Sequence, residues 1–195
     1  MVKFYHFTPK ENVGEILEKG LHPGSKIGKR NTWLGVQGDP EYIYLFHYRQ
    51  AEFLALAALI ELNPEITSHS TALFEVSILD ASKVERDYDS LLHVFLDERL
   101  SLKEQEEKIA GLADARFGLT IVDFSEKGIC NAIDSLAEEQ WIECAGTYRT
   151  KNNLDDVVLV RWQDLLSADK LKAVSDMDTN ISQGEKIKKI NELLT

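Results

Sequence analysis

The first patterned segment of the chain is a strand with a polar edge that leads directly into a helix, and this order limits the folds available. Residues 2–8 alternate as in a β-strand, so His6 and Thr8 lie on one face together with Phe4. Pro9 ends the strand because it lacks the backbone N–H that a sheet ladder requires. Two neighbouring polar side chains at the end of a strand indicate a ligand-binding edge.

The rest of the chain predicts a mixture of strands and helices. Apolar residues at every second position, or compact β-branched and aromatic runs, predict strands, whereas apolar residues three and four apart predict helices. The glycine- and proline-rich residues 22–40 predict a long loop, and such loops inside domains tend to be functional. The later predicted strands are 42–46, 72–79, 141–149 and 157–162, and the predicted helices are 11–19, 50–62, much of 90–140 and 164–174.

The composition is that of a globular protein without a membrane span. The 195 residues suffice for one domain with a sizeable core. No run of about 18 apolar residues occurs, and the N-terminus lacks the apolar segment of a signal peptide. Cys130 and Cys144 do not have metal-ligand spacing, and two cysteines do not make a disulfide framework. We therefore expect a cytoplasmic protein.

The net charge of −11 argues against broad nucleic-acid binding, because neutralising phosphates normally requires a basic surface. Lys26, Lys29 and Arg30 nevertheless cluster in the long loop, where they either contact a phosphate or form an ordinary solvated loop. The remaining histidines have no partners at metal-ligand spacing, so we expect no metal site. The charge favours a protein or a small molecule as the partner.

Three motifs follow one another in a specific order. The first is Tyr5-His6-Phe7-Thr8-Pro9 with Asn12, Ile16-Leu17 and Gly20-Leu21, the second is Tyr44-Leu45, and the third is the strand from Leu73 that leaves through Asp87-Tyr88-Asp89. This order resembles the ADP-ribosyltransferase-like superfamily, in the branch that uses a His–Tyr–Glu set. The resemblance covers residues 2–89 well and residues 138–162 loosely.

The resemblance implies an α+β domain in which two packed antiparallel sheets with flanking helices enclose a cleft for NAD. The domain would span residues 1–165, with a helical insertion at about 90–137, and a helical tail would occupy 166–195. Members of this superfamily do not hold NAD with a glycine-rich Rossmann turn, and no such fingerprint occurs here.

The implied reaction cleaves the nicotinamide–ribose bond of NAD and transfers ADP-ribose to a nucleophile. By resemblance, His6 would bond a ribose hydroxyl, and Thr8 would support the same sugar or the geometry of the strand. Tyr44 would stack on the nicotinamide, since an aromatic face attracts a cationic ring. Lys29 or Arg30 would offset the charge of the pyrophosphate.

A carboxylate would stabilise the positive charge that develops on the ribose. The family places its Glu near the start of a late strand that is followed by a turn and a closing hydrophobic strand. Glu143, inside the predicted strand 141–149, fits best, and Glu139, just before that strand, is the second choice.

Alternative interpretations remain for each of these residues. His6 and Tyr44 would serve only packing if the His-x-Thr motif were coincidental in an unrelated α+β protein. A member of the fold that has lost its carboxylate would be a non-catalytic binding or regulatory domain. An RNA 2′-phosphotransferase fits less well, because it needs more basic residues and a His where Tyr44 stands.

Overall fold

The structure, a computed structural model, describes residues 1–28, 32–33, 36–47, 71–89, 99–161, 169, 172, 173 and 176. The predicted helix 50–62, nearly all of the predicted helix 164–174 and the tail, and the candidate phosphate ligands Lys29 and Arg30 lie outside these residues. No helix among the described residues is long and apolar enough to cross a membrane.

The predicted α+β class is confirmed, and the centre of the fold is one antiparallel sheet of six strands. Its spatial order is β6-β7-β4-β1-β5-β8. The strands are β1 Val2–Pro9, β4 Ile43–His47, β5 Thr71–Ile78, β6 Glu85–Arg86, β7 Thr147–Thr150 and β8 Val157–Val160, and a separate ribbon pairs β2 Thr32–Trp33 with β3 Val36–Gln37.

The expectation of two packed sheets is not supported. Within the described residues, β1 pairs with β4 on one side and with β5 on the other, and so joins both halves into a single sheet. The predicted strands at 2–8, 42–46 and 72–79 are confirmed to within one or two residues. Their alternating or compact apolar patterns reflect a sheet that has one face buried.

The described helices are α1 Val13–Lys19, α2 Gly24–Ile27, α3 Leu102–Phe117, α4 Glu126–Asp134 and α5 Glu138–Cys144. Helix α1 ends at Gly20, as predicted, where φ is +81° and a Cβ would lie 2.6 Å from the carbonyl oxygen of Leu154. Helix α3 begins at a capping box formed by Ser101 and Glu104. Helices α3 and α4 confirm the helical character that was predicted within residues 90–137.

The predicted strand 141–149 is wrong in its first half. Residues up to Cys144 belong to α5, the chain turns at Gly146 with φ +58°, and only β7 is extended. Trp141 explains the difference, because its fully buried ring stacks on Phe117 at 5.6 Å and its indole N–H donates to the carbonyl of Thr147 at 3.0 Å. A helix can direct this large side chain into the core while its polar residues face outward.

The sheet has two faces with different roles. The core face carries Phe4, Leu45 and Phe74, which pack in one cluster with Ile109 and Trp141 of α3 and α5. Strand alternation places His6 and Thr8 on this face, as the sequence predicts. The opposite face, called the Tyr44 face below, carries Tyr5, Tyr44 and Arg149.

Candidate functional site

The two central strands separate at one end of the sheet. Strands β1 and β4 pair only at Phe4 with His47 and at Tyr5 with Phe46. Beyond these pairs β1 continues along β5 as far as Pro9, and β4 continues along β7. The β1–β4 ladder therefore ends before residue 6, while each strand's ladder with its other neighbour continues, and we call this unpaired stretch between β1 and β4 the strand opening.

His6 lies at the start of the strand opening. Its Nδ1 is 2.9 Å from the carbonyl oxygen of Tyr44, so this nitrogen donates its hydrogen and Nε2 remains an acceptor in the neutral ring. Burial lowers the pKa of His6, and the bond to the Tyr44 carbonyl offsets only part of that effect. The imidazole is therefore neutral near pH 7 and suited to accept a hydrogen bond from a hydroxyl group.

Thr8 follows on the same strand face and is buried. Its hydroxyl accepts a hydrogen bond from the amide nitrogen of Asn12 at 2.9 Å. This contact ties the end of β1 to the start of α1. Both roles expected for Thr8, binding the sugar and supporting the strand's geometry, stay predictions.

The side chain of Tyr44 is fixed by hydrogen bonds at its hydroxyl group and by the close approach of Gly38 to its ring. The hydroxyl accepts the backbone N–H of Asp39 at 2.7 Å and donates to the carboxylate of Asp89. A Cβ at Gly38 would lie 2.8 Å from the ring, so only glycine permits this approach. Burial and the bond to Asp89 raise the pKa of Tyr44, which keeps the phenol protonated.

Asp89 belongs to a group of charged and aromatic side chains that we call the Arg149 cluster. Its members are Arg149, Asp89, Glu85, Tyr42 and Tyr88. The guanidinium of Arg149 donates to Asp89 at 2.6 Å and to Glu85 at 2.8 Å. It also stacks over the rings of Tyr42 and Tyr88, at 4.1 and 4.9 Å from their centroids. Burial is the largest single influence on Arg149 and opposes its charge, but Asp89, Tyr42 and Glu85 together outweigh it and raise the pKa.

The sheet register assembles this cluster. Tyr44 of β4 stands opposite Arg149 of β7, and Arg149 stands opposite Glu85 of β6. Residues directly opposite one another share a face, so three strands bring a phenol, a cation and a carboxylate side by side.

Asp87 and Thr147 stand next to this cluster. The backbone N–H of Asp87 donates to the carbonyl of Thr147 at 3.1 Å, which continues the register of β6 and β7. Burial, and then the charge of Asp89, raise the pKa of the Asp87 carboxyl to about 7. Among the described residues, the hydroxyl of Thr147 is buried and has no hydrogen-bond partner.

The predicted carboxylates lie elsewhere. Glu139 and Glu143 belong to α5, and both side chains are exposed to solvent, whereas Trp141 and Ile142 of the same helix are buried. His6 reaches Tyr44 only through the tyrosine's backbone carbonyl, because alternation directs the two side chains to opposite sheet faces. The structure thus joins His6 and Tyr44 around the strand opening without bringing either to the two glutamates by a described contact.

Sequence reasoning missed the Arg149 cluster and its neighbour Asp87. One signal was present, since Glu85, Asp87 and Asp89 occupy every second position of one short segment, a concentration of negative charge. Such a concentration requires a nearby cation, and Arg149 in the next strand supplies it. The described residues hold no group of three or more potential ligands that could bind a metal ion.

Comparison with known proteins identifies no relative: no family model, no curated protein and no solved structure matches the chain.

Proposed function

We propose that this protein catalyses NAD-dependent transfer of ADP-ribose to an acceptor. The observation that carries the proposal is the strand opening. The neutral imidazole of His6 lies at its start on β1, and Tyr44 lies across from it on β4. An opening between the central strands offers a ligand both backbone and side-chain groups. The order of motifs along the chain supports the same function.

In this proposal each residue acts through an atom that is suited to its task. Nε2 of His6 accepts a hydrogen bond from a ribose hydroxyl, because Nδ1 is engaged by the carbonyl of Tyr44. The hydroxyl of Tyr44 is engaged by Asp39 and Asp89, so its ring is the part that contacts the nicotinamide. The held ring loses little entropy when a ligand stacks on it.

The acceptor is a protein or a small molecule in our proposal, since a chain with a net charge of −11 repels polyanions. Cys130 and Cys144 are free thiols, which suits a reducing compartment, and we place the reaction in the cytoplasm.

A second candidate is a non-catalytic NAD-binding or regulatory domain, and one observation favours it. Glu139 and Glu143 are exposed on a helix, where water screens a carboxylate and weakens its effect on a developing charge. The late strand that precedes the closing strand β8 begins instead with Thr147.

Calorimetry with NAD, together with chromatographic measurement of nicotinamide release, tests both candidates. We expect the wild-type protein to bind NAD, and His6→Ala to weaken binding on the order of 10-fold through the loss of one hydrogen bond. His22→Ala is the matched control, because His22 contacts only the nearby carbonyl of Lys19 among the bonds described for it. Release of nicotinamide supports the enzyme, binding without release supports the second candidate, and the absence of binding overturns both.

Glu143→Gln and Glu139→Gln test the two carboxylates that the sequence favoured. Loss of nicotinamide release in either variant, with NAD binding retained, would assign that glutamate to the reaction. Unchanged release in both would remove them from the mechanism.

A further inference from the structure

We infer that Asp87 is the working carboxylate of this site and accepts the proton of the nucleophile that attacks the ribose. The inference rests on the proposed function. It assigns a role to a residue that sequence reasoning left without one, and it replaces the two exposed glutamates of α5.

The position of Asp87 in the sheet is the first argument. Asp87 is the first residue after β6, and its backbone N–H donates to the carbonyl of Thr147, the first residue of the late strand β7. Along the chain it lies between Glu85 and Asp89, the two carboxylates that Arg149 binds. The charge of Asp87 contributes to the raised pKa of Tyr44, so the two side chains lie within electrostatic reach of one another.

The hydrogen bonds of the three acidic side chains are the second argument. Both carboxylate oxygens of Asp89 are engaged, one by Arg149 and one by Tyr44, and Glu85 is paired with the same arginine. Asp87 accepts only the backbone N–H of Asp89, on Oδ1, among the bonds of the described residues. Its Oδ2 has no hydrogen-bond partner among the described residues and is therefore the Asp87 oxygen that can meet a ligand.

The hydroxyl of Thr147 is the third argument. It is a buried polar group without a partner among the described residues, and it lies directly across the ladder from Asp87. Buried hydroxyls nearly always form hydrogen bonds, so the unsatisfied hydroxyl of Thr147 marks a polar position next to Asp87 in the ladder that a bound water or a ligand hydroxyl would satisfy.

The charges that face Asp87 suit proton transfer near neutral pH. Asp89 disfavours ionisation of Asp87, whereas Arg149 of β7 and Arg116 of α3 favour it, and Tyr44 contributes a neutral phenol. With burial, the result is a pKa of about 7, at which a carboxylate can both accept and release a proton.

The proposed step is the cleavage of the nicotinamide–ribose bond, and water is the simplest nucleophile for it. The bond between the ribose C1′ and the nicotinamide nitrogen breaks, and its electron pair stays on that nitrogen, so that neutral nicotinamide leaves. The water oxygen forms the new bond to C1′, and the water proton passes to Oδ2 of Asp87. With another hydroxyl-bearing acceptor the same proton comes from its hydroxyl group.

The test is the pH dependence of NAD hydrolysis by the full chain, for the wild type, Asp87→Asn and Asp114→Asn. Asp114 is an exposed aspartate of α3 and serves as the matched control. We expect wild-type kcat to rise through about pH 7 as Asp87 ionises, and Asp87→Asn to lose on the order of 100-fold and to lose this rise. Asp114→Asn should follow the wild-type profile.

A spectroscopic measurement covers the case in which Asp87→Asn does not fold. The carbon-13 carboxyl resonances of the labelled wild-type protein are titrated with and without NAD, and we expect one aspartate that titrates near pH 7 to shift when NAD is added. A folded Asp87→Asn that keeps the wild-type rate and pH profile, or a carboxyl resonance that NAD leaves unchanged, would overturn the role of Asp87 alone. Failure of the wild-type protein to bind NAD would overturn the proposed function with it.

Discussion

Replacing Asp87 by Asn should change the pH dependence of stability even without any ligand. The folded protein holds the Asp87 proton up to about pH 7, because burial and then the charge of Asp89 raise the pKa from its ordinary value of 3.8. Between pH 3.8 and about pH 7 the folded state therefore binds more protons than the unfolded chain. The free energy of unfolding that Asp87 contributes therefore falls as the pH rises through this window.

The size of the effect follows from the shift in pKa. A rise from 3.8 to about 7 spans about 3 units, and each unit corresponds to about 1.4 kcal/mol, so ionising Asp87 costs about 4 kcal/mol at most. Solvent screening makes this an upper value, because the side chain is partly exposed. Asn has the same shape, keeps an oxygen for the backbone N–H of Asp89 and never ionises.

Urea unfolding followed by tryptophan fluorescence measures this effect. The stability advantage of Asp87→Asn over the wild type should widen by up to about 2 kcal/mol between about pH 5.5 and about pH 8. The control, Asp114→Asn, should keep a constant difference from the wild type. If the wild-type and Asp87→Asn proteins gave parallel stability curves across this range, the carboxyl would not carry a raised pKa and the reasoning would be refuted.

Further variants test the packing around the site. Arg149→Met should lower the free energy of unfolding by about 3 to 5 kcal/mol in urea unfolding, since it leaves the buried Asp89 carboxylate without its cation. Adding Asp89→Asn should restore part of that loss, and no restoration would show that the arginine acts through packing alone. Gly38→Ala should cost about 1 to 3 kcal/mol, because its Cβ would lie 2.8 Å from the ring of Tyr44. Gly111→Ala, in α3 with open space around it, should instead raise the melting temperature through a gain of about 1 kcal/mol, and equal losses in both glycine variants would contradict this account.

The strands that follow a local pattern could be predicted from the sequence. Strands β1 and β5 alternate because one of their faces packs against the helices, and this burial is written into every second residue. The segment 141–149 could not be divided correctly, because Trp141 and Ile142 are adjacent apolar residues that suit either a strand or a short helix. The contacts of the Trp141 side chain favour the helix, among them the stacking on Phe117, which is 24 positions away.

The candidate site was less predictable, because its geometry depends on pairings between distant segments. The place of His6 on one strand face with Phe4 and Thr8 followed from alternation, but its bond to the Tyr44 carbonyl depends on where the ladder between β1 and β4 ends. No residue type marks that end. Arg149 likewise meets Glu85 and Tyr44 through a register of three strands that lie far apart along the chain.

The corrected start of β7 changes where the proposed function would place its carboxylate. In that proposal a carboxylate lies near the start of the late strand, and with that strand beginning at residue 147 the position is held by Thr147. Cross-strand neighbours have Cβ atoms only about 5 Å apart, so a carboxylate on the adjoining segment can reach the same space. Asp87 occupies that neighbouring position, with a side chain one methylene shorter than glutamate. The double variant Thr147→Glu with Asp87→Thr, which exchanges the two positions, should therefore retain nicotinamide release, whereas Asp87→Thr alone should lose it.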